Sequence, residues 1–578
     1  MHTSFPIYRP AGLLALACAA TALLSACSTP EQKTAAAPVD CALLATQFVA
    51  PGVRITATES VPVGLTVTGM AQPYPMPAHC KVSGKMLERT GLDGKPYAIG
   101  FEMRLPTQWN QRFLFQVNGG NDGVVQPAWG NVVSGGPTTN ALMQGFAVLS
   151  SDAGHTMEPP QTGGLVGGNL FGMDPQARLD YGYQANGKLA PMARQLISSH
   201  YGHAPARSYM MGCSNGGRHA MVAAARYPEQ FDGILAGNPG FNLPKASIQH
   251  AWDIQAFSAV NPDIKAAFTP ADMKLVGDQI LQACDALDGL QDGMVNNLPA
   301  CQKAFQLPAL QCSGAKTDAC LSAAQVGALQ KVFAGPRNSK GEALYADWPW
   351  DAGVGSSAPG FSSWRAWKLQ GPVAGLPIIG ALGSGSVAYI FATPPKPVAG
   401  NPQALIQSLL DYNFDSDSRS IYAASGAFQE SSVEFMTPPK ATELTAFKAR
   451  GGKLMVYHGN SDPVFSVNDS IHWYEGLRKN HGGDASSFAR LYTVPGMTHC
   501  SGGPSTDQFD ALSALVNWVE KGQAPSMVAS ARPGANPDVP ASWSSDGKAR
   551  TRPLCAYPQQ VRYSGAGDVN DAKNFSCQ

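Results

Sequence analysis

Ser208-Tyr-Met-Met-Gly-Cys-Ser-Asn-Gly-Gly-Arg-His-Ala-Met-Val-Ala-Ala-Ala-Arg226 is the stretch on which the reading of this 578-residue chain turns. A short apolar, strand-like run enters Gly212-Cys213-Ser214-Asn215-Gly216. An Ala-rich, helix-like run leaves it and stops at Tyr227-Pro228. A bare Gly-x-Ser-x-Gly carries little information, because both residue types are common. Its strand, turn and helix context is that of a nucleophile elbow, where small residues allow a strained turn that projects the serine hydroxyl. The stretch predicts an α/β fold with Ser214 as nucleophile.

A serine hydroxyl needs a general base, and the base needs an acid to orient it; in this kind of fold they follow in the order Ser, Asp or Glu, His. Lys453-Leu-Met-Val-Tyr457 is a strand candidate that runs into the polar turn His458-Gly-Asn-Ser-Asp462, which makes Asp462 the acid. The next apolar run, Phe488 to Val494, leads into Pro495-Gly-Met-Thr-His499-Cys500, which puts His499 on a loop as the base. An Asx-turn at Asp462 and a capping or surface role for His499 are the plain alternatives. His155 and His458 compete with His499 and read as structural or substrate-lining. An oxyanion hole needs two donors. The backbone N–H of Asn215 is one candidate, and Gly120, in the Gly-rich turn Asn118-Gly-Gly-Asn121 after the strand-like Phe113 to Val117, supplies the other unless that turn is merely a tight loop.

Ten of the twelve cysteines lie beyond the targeting region, an even number that reads as disulfides in an exported protein. Close spacing favours Cys284–Cys301, Cys312–Cys320 and Cys555–Cys577, leaving Cys41 with Cys80 and Cys213 with Cys500. If Cys213 and Cys500 bond, the backbones just before the nucleophile and just after the base are held together. No Cys-x-x-Cys occurs, which disfavours zinc.

The roughly 250 residues between Ser214 and Asp462 far exceed two or three βα units of about 30 residues each. The expected organisation is core 41–240, an inserted lid 241–440 and core 441–578. Thr269-Pro270-Ala-Asp-Met-Lys-Leu-Val-Gly-Asp-Gln-Ile-Leu281 in the lid reads as a helix capped by Thr269 with proline in its first turn. Gly371 to Pro395 has no charge until Lys396, yet its repeated Gly, Pro and Ser argue against a membrane-spanning helix and for part of the lid.

Lysine plus arginine and aspartate plus glutamate balance at 41 each, which with the absence of a basic block argues against a nucleic-acid partner. Only 14% of residues are charged, against roughly 25% in average soluble proteins, which suits a protein outside the cytoplasm. Arg9 precedes the apolar run Ala11 to Leu24, too short to span a bilayer comfortably and ending in Leu24-Ser25-Ala26-Cys27. Residues 1–26 read as a signal peptide. The tetrapeptide resembles the lipobox of bacterial lipoproteins, making Cys27 the lipidated first residue, with 27–40 as tether. A plain secretory signal cut nearby is the alternative. The chain is thus expected to be exported, either lipid-anchored at the outer membrane or periplasmic or extracellular, to meet the membrane only through that anchor, and to act as a monomer.

Gly212-Cys-Ser-Asn-Gly-Gly-Arg218, Phe231-Asp-Gly-Ile-Leu-Ala-Gly-Asn-Pro-Gly240, His458-Gly-Asn-Ser-Asp462 and Pro495-Gly-Met-Thr-His-Cys-Ser-Gly-Gly-Pro504 together resemble the tannase and feruloyl esterase family, from about Cys41 to Cys577. The resemblance implies an α/β-hydrolase core with a large inserted lid, the disulfide joining the nucleophile and base segments, and a calcium site in the lid. Asp285-Ala-Leu-Asp288-Gly-Leu290-Gln-Asp292-Gly-Met294 packs three carboxylates and two glycines into one turn, the oxygen-rich setting a hard cation takes, though not at EF-hand spacing. A solvated acidic loop is the alternative. By resemblance the ligands are the side chains of Asp285, Asp288 and Asp292 and the carbonyls of Leu290 and Met294. The metal is expected to be structural, since a serine triad requires no Lewis acid.

The expected substrate is a small aromatic ester. Trp348, Trp350, Trp364, Trp367, Tyr389, Phe391 and Phe465 offer aromatic surface for a planar acyl group. Trp364 and Phe465 are the substrate contacts that the resemblance favours, and His458 is a further candidate. Family members that cleave terephthalate monoesters read the free carboxylate with a lid arginine shortly before a Phe-Ala-Thr-Pro-Pro motif. Here Pro377 to Ser386, before Phe391-Ala-Thr-Pro-Pro395, has no Arg or Lys, and Asn215 stands where those members carry an acid. Arg365 is the one substitute cation considered, although an exposed lid arginine is the plainer reading. The expectation is an esterase for feruloyl, galloyl or related phenolic esters, with terephthalate monoesters as the alternative. A serine peptidase or amidase, or a binding module on the same scaffold, are the rival classes.

Overall fold

The computed structural model describes residues 38–64, 75–131 and 140–578. Cys18, Cys27, the signal peptide and most of the tether lie outside them. Nine strands form the main sheet: β1 (Val53–Val61), β2 (His79–Thr90), β3 (Pro96–Pro106), β4 (Arg112–Gln116), β5 (Ala147–Ser151), β6 (Arg207–Cys213), β7 (Gly233–Gly237), β8 (Lys453–Gly459) and β9 (Ala489–Val494). Their order is β1-β2-β3-β5-β4-β6-β7-β8-β9. β1, β2, β3 and β5 pair antiparallel, whereas β5, β4, β6, β7, β8 and β9 run parallel.

The parallel strands are short apolar runs because both faces are covered. Successive side chains point to opposite faces, so alternate residues join different cores. Phe113, Phe115, Met210, Ile234, Ala236, Leu454 and Val456 pack in one layer with helices Ala185–Tyr201 and Asn215–Arg226. Leu114, Tyr209, Met211, Leu235, Met455 and Tyr457 pack in the other, with helix Ala511–Lys521. β4 connects leftward to β5 and β6 rightward to β7, so the turns after β4 and β6 part at a topological switch point. In open α/β sheets that is where a crevice opens at the carboxyl ends of the strands. This is the α/β-hydrolase arrangement.

Between Gly237 and Lys453 the chain contributes no strand to the main sheet. It forms helices, the longest being Leu243–Ser258 and Pro270–Cys284, and builds a third apolar core that also takes in Val464 and Phe465. Thr269 and Asp272 form a reciprocal capping box on the second of these, with Pro270 in its first turn. Ile378–Ala381 and Ser386–Phe391 are short helical turns buried in this core. Among the described residues no helix is long and apolar enough to cross a membrane. All five expected disulfides are present: Cys41–Cys80, Cys213–Cys500, Cys284–Cys301, Cys312–Cys320 and Cys555–Cys577. They fit folding in an oxidising, exported setting.

Candidate active site

Ser214 sits between β6 and helix Asn215–Arg226 with φ 65° and ψ −127°. A non-glycine residue held there is strained, and such strain concentrates at functional turns. Small neighbours make the turn possible: a Cβ on Gly216 would lie 2.5 Å from the Val117 carbonyl oxygen, and one on Gly212 would lie 2.6 Å from it. His499 Nε2 is 2.8 Å from Ser214 Oγ, and His499 Nδ1 is 2.9 Å from Asp462 Oδ2. A carboxylate only accepts, so Nδ1 carries the proton and Nε2 is left to accept from the serine hydroxyl. That is the tautomer a general base requires.

Asp462 is fully buried. It accepts from Asn238 Nδ2 at 2.7 Å, Val464 N at 2.8 Å and Phe465 N at 3.2 Å, besides His499. Burial alone would raise its pKa; the charge and hydrogen bonds of His499 and His458 outweigh burial and hold it well below the usual carboxylate range. Two further groups brace it. Trp348 Nε1 donates to the Asp462 carbonyl at 3.0 Å. Asp351, in the insertion, accepts from Ser461 Oγ and from Gly496 N, tying the Asp462 turn to the His499 loop. Cys213–Cys500 fixes the same relation covalently, with Cα atoms 6.1 Å apart.

Gly120, Asn121, Ser214 and Asn215 line one cleft. Gly120 has φ 63°, left-handed backbone that favours glycine. Asn215 opens its helix, where backbone N–H groups lack an intrahelical acceptor. The turn is braced from behind, by His155 Nε2 donating to the Asn121 carbonyl at 2.8 Å and by Asn215 Nδ2 donating to Asp122 Oδ1 at 2.6 Å. Leu243, His250, Trp367, Leu382, Gly383, Ser386, Phe391, Val464 and Phe465 complete the wall. Among the described residues no charged side chain lines it. The cavity measures about 50 Å³. Pockets that enclose drug-sized ligands measure about 300–1,000 Å³, so a ligand of that size is admitted only as lining side chains move. A cavity of about 280 Å³ between Met294 and the C-terminal segment contains neither Ser214 nor His499.

The structure gathers Ser214, His499, Asp462, Asn215, Gly120 and Phe465, and places two predicted contacts elsewhere. Trp364 is 2% exposed and packs edge-on to Phe257 in the core of the insertion. Trp367, three residues on, meets the cleft and packs edge-on to His499 at 4.9 Å. His458 lies behind Asp462. Its Nε2 donates to the Phe465 carbonyl at 2.9 Å and its Nδ1 pairs with Ser470 Oγ at 2.8 Å, so it supports the acid turn and does not face the cleft. Arg365 donates to the carbonyls of Phe268 and Lys265, outside the cleft. Asn238, His250 and Asp351 were not singled out by sequence, and Trp367 was named only among the lid aromatics, with Trp364 preferred to it. Only Asn238 had a motif signal, since it falls within Phe231 to Gly240.

In the acidic loop, Asp285 accepts from Asp292 N and Gly293 N at 3.0 and 2.9 Å, and Asp288 accepts from Leu290 N at 3.0 Å. Asp292 pairs with Arg552. Among the described residues no group of three or more His, Cys, Asp or Glu side chains stands ready to hold a metal ion. A cation here must therefore also take carbonyl and water oxygens. Asp292 Oδ1 and Asn296 Oδ1 are buried without a partner, which suits one. Burial, with the neighbouring Asp292 and Asp285, also raises the Asp288 pKa, a strain a cation relieves.

A family model described as tannase and feruloyl esterase matches residues 80–578. Mono(2-hydroxyethyl) terephthalate hydrolase of Piscinibacter sakaiensis is 42% identical over 530 residues, 87% of this chain and 85% of that protein. A probable feruloyl esterase of Arthroderma benhamiae is 29% identical over 510 residues, 85% and 84% of the two chains. The crystal structure of feruloyl esterase B from Aspergillus oryzae shares the fold with a TM-score of 0.71 at 22% identity, covering 93% of this chain and 99% of that one.

Proposed function

Because the chain belongs to the tannase and feruloyl esterase family and is a carboxylic ester hydrolase, we propose that it cleaves small aromatic esters, feruloyl, galloyl or related phenolic esters ahead of terephthalate monoesters, through Ser214, His499 and Asp462. The observation that carries this reading is the hydrogen-bonded chain from Ser214 Oγ through His499 to Asp462, opening on a cleft walled by Trp367, Phe391 and Phe465 and free of charged side chains. A monoester carboxylate buried there would have no cation to pair with, and an unpaired buried charge is strongly unfavourable.

In this mechanism His499 Nε2 takes the Ser214 proton as Oγ attacks the ester carbonyl. The N–H groups of Asn215 and Gly120 hold the oxyanion. The alcohol leaves with the proton from His499, and water activated by the same nitrogen releases the aromatic acid. Asp462 keeps the Nδ1–H tautomer and stabilises the imidazolium. A calcium ion held by Asp285, Asp288 and Asp292 with the Leu290 and Met294 carbonyls belongs to the proposal as a structural group that fastens the loop. Export with lipid attachment at Cys27, and action as a monomer, complete it.

Purified mature protein is to be assayed on methyl ferulate, methyl gallate and mono(2-hydroxyethyl) terephthalate side by side. Turnover of the phenolic esters is expected, lost in Ser214→Ala with the fold intact. Faster turnover of the terephthalate monoester would overturn the substrate reading, and an active Ser214→Ala would overturn the nucleophile.

A further inference from the structure

His250 lies on helix Leu243–Ser258, lines the cleft and is 6% exposed. Among the described residues neither ring nitrogen has a hydrogen-bond partner. A neutral imidazole carries one donor and one acceptor, so leaving both unmet in a buried site is unfavourable and needs a reason. The ring lies directly over Gly383, where a Cβ would fall 2.2 Å from Nδ1. The ammonium of Lys368, which acts on the ring electrostatically, is committed to a buried pair with Asp253 and does not line the cleft. Burial, with Lys368 in second place, pushes the His250 pKa down to about 3, so the ring is uncharged at neutral pH.

Its position along the cleft also matters. Gly240 N donates to the Ser214 carbonyl at 3.4 Å, and a Cβ at Gly240 would press on the Phe465 ring, so the start of this helix adjoins the nucleophile. Leu243 and His250 share one helix face seven residues apart, about 10 Å along the axis. His250 thus lines the cleft two helical turns beyond the end of the helix that adjoins Ser214, within reach of a substituent on an aryl acyl group held there once the lining side chains admit it.

We propose that His250 determines acyl specificity, by hydrogen-bonding an uncharged hydroxyl on the far edge of the aromatic acyl ring. A phenolic hydroxyl donates once and accepts, matching the two unmet functions of the imidazole, while a carboxylate there would be an unpaired buried charge. The inference deepens, and rests on, the aromatic-ester reading above.

The test compares kcat/KM for methyl 4-hydroxycinnamate and methyl cinnamate in the native enzyme, His250→Phe and His250→Gln. The native enzyme is expected to favour the hydroxylated ester about tenfold, His250→Phe to abolish that ratio, and His250→Gln, which keeps a donor and an acceptor, to retain most of it. Inhibition of the native enzyme by 4-hydroxycinnamate and by cinnamate gives the same comparison without a variant, with the hydroxylated acid binding several-fold tighter. A hydroxyl preference that survives in His250→Phe, an equal loss in Phe and Gln, or equal inhibition by the two acids overturns the role of His250 alone. A native enzyme inactive on both esters overturns the aromatic-ester reading beneath it.

Discussion

At Asp462 two opposing influences meet. Burial favours the neutral acid, while His499, His458, Asn238 and two backbone N–H groups favour the carboxylate, and the carboxylate prevails. Asp462→Asn keeps the volume but loses the acceptor that fixes the Nδ1–H tautomer. Its kcat is expected to fall by about 10⁴ with KM little changed and the fold retained; a loss under tenfold would show that His499 is oriented chiefly by its other contacts. That Ser214, Asp462 and His499 come together was legible in the sequence because each follows an apolar run that became a parallel strand, and strand ends place side chains predictably. The aromatic wall of the cleft was not. Trp364 and Trp367 are three residues apart on one short helix, and tertiary packing alone decides which of them meets the cleft. His250 is in mid-helix with no motif around it, so only its unpartnered nitrogens single it out.

Among elements, the Asp285–Met294 loop joins parts of the chain that are far apart in sequence. Helix Pro270–Cys284 enters it and Cys284–Cys301 closes it, while Arg552 and Arg550, from the C-terminal segment, bind the Asp292 carboxylate and carbonyl. A ligand that binds only the folded loop stabilises the protein in proportion to RT ln(1 + [L]/Kd), about 2.7 kcal/mol at a hundredfold excess over Kd. Chelator treatment of purified protein is expected to lower the thermal midpoint by a few degrees. Calcium should restore it, magnesium should do so poorly, and Asp288→Asn should lack the shift. A midpoint indifferent to chelator would remove the metal and leave the two arginines as what neutralises the loop. The Thr269 cap was legible because it is local, though its reciprocal partner Asp272 was not named. The arginine contacts were not, since they join positions about 260 residues apart.

For the whole molecule, buried histidines and buried carboxyls act on stability with opposite sign across the acid range. Burial pushes His155 and His250 down to about 3 and His219 well below its ordinary value. In the unfolded chain each takes up a proton near pH 6.5 that the folded protein refuses, so each lowers stability as pH falls from there. Burial likewise raises Asp152 to about 7, Asp469 to about 6 and Asp122 well above its usual range. These carboxyls hold protons in the folded protein that the unfolded chain binds only near pH 3.8, so each adds stability over the same interval. Down to about pH 4 the two sets oppose one another, with Asp180, Asp253 and Asp351, also raised by burial, adding to the carboxyl side. Below that the carboxyl contribution is saturated, the histidines continue to cost stability, and Asp462, whose pKa is depressed on folding, begins to lose its own contribution. The thermal midpoint measured by calorimetry is therefore expected to fall more steeply below pH 4 than between pH 6 and pH 4. A midpoint declining steadily from pH 6.5 would mean that the buried carboxyls are ionised in the folded protein and leave the histidines uncompensated.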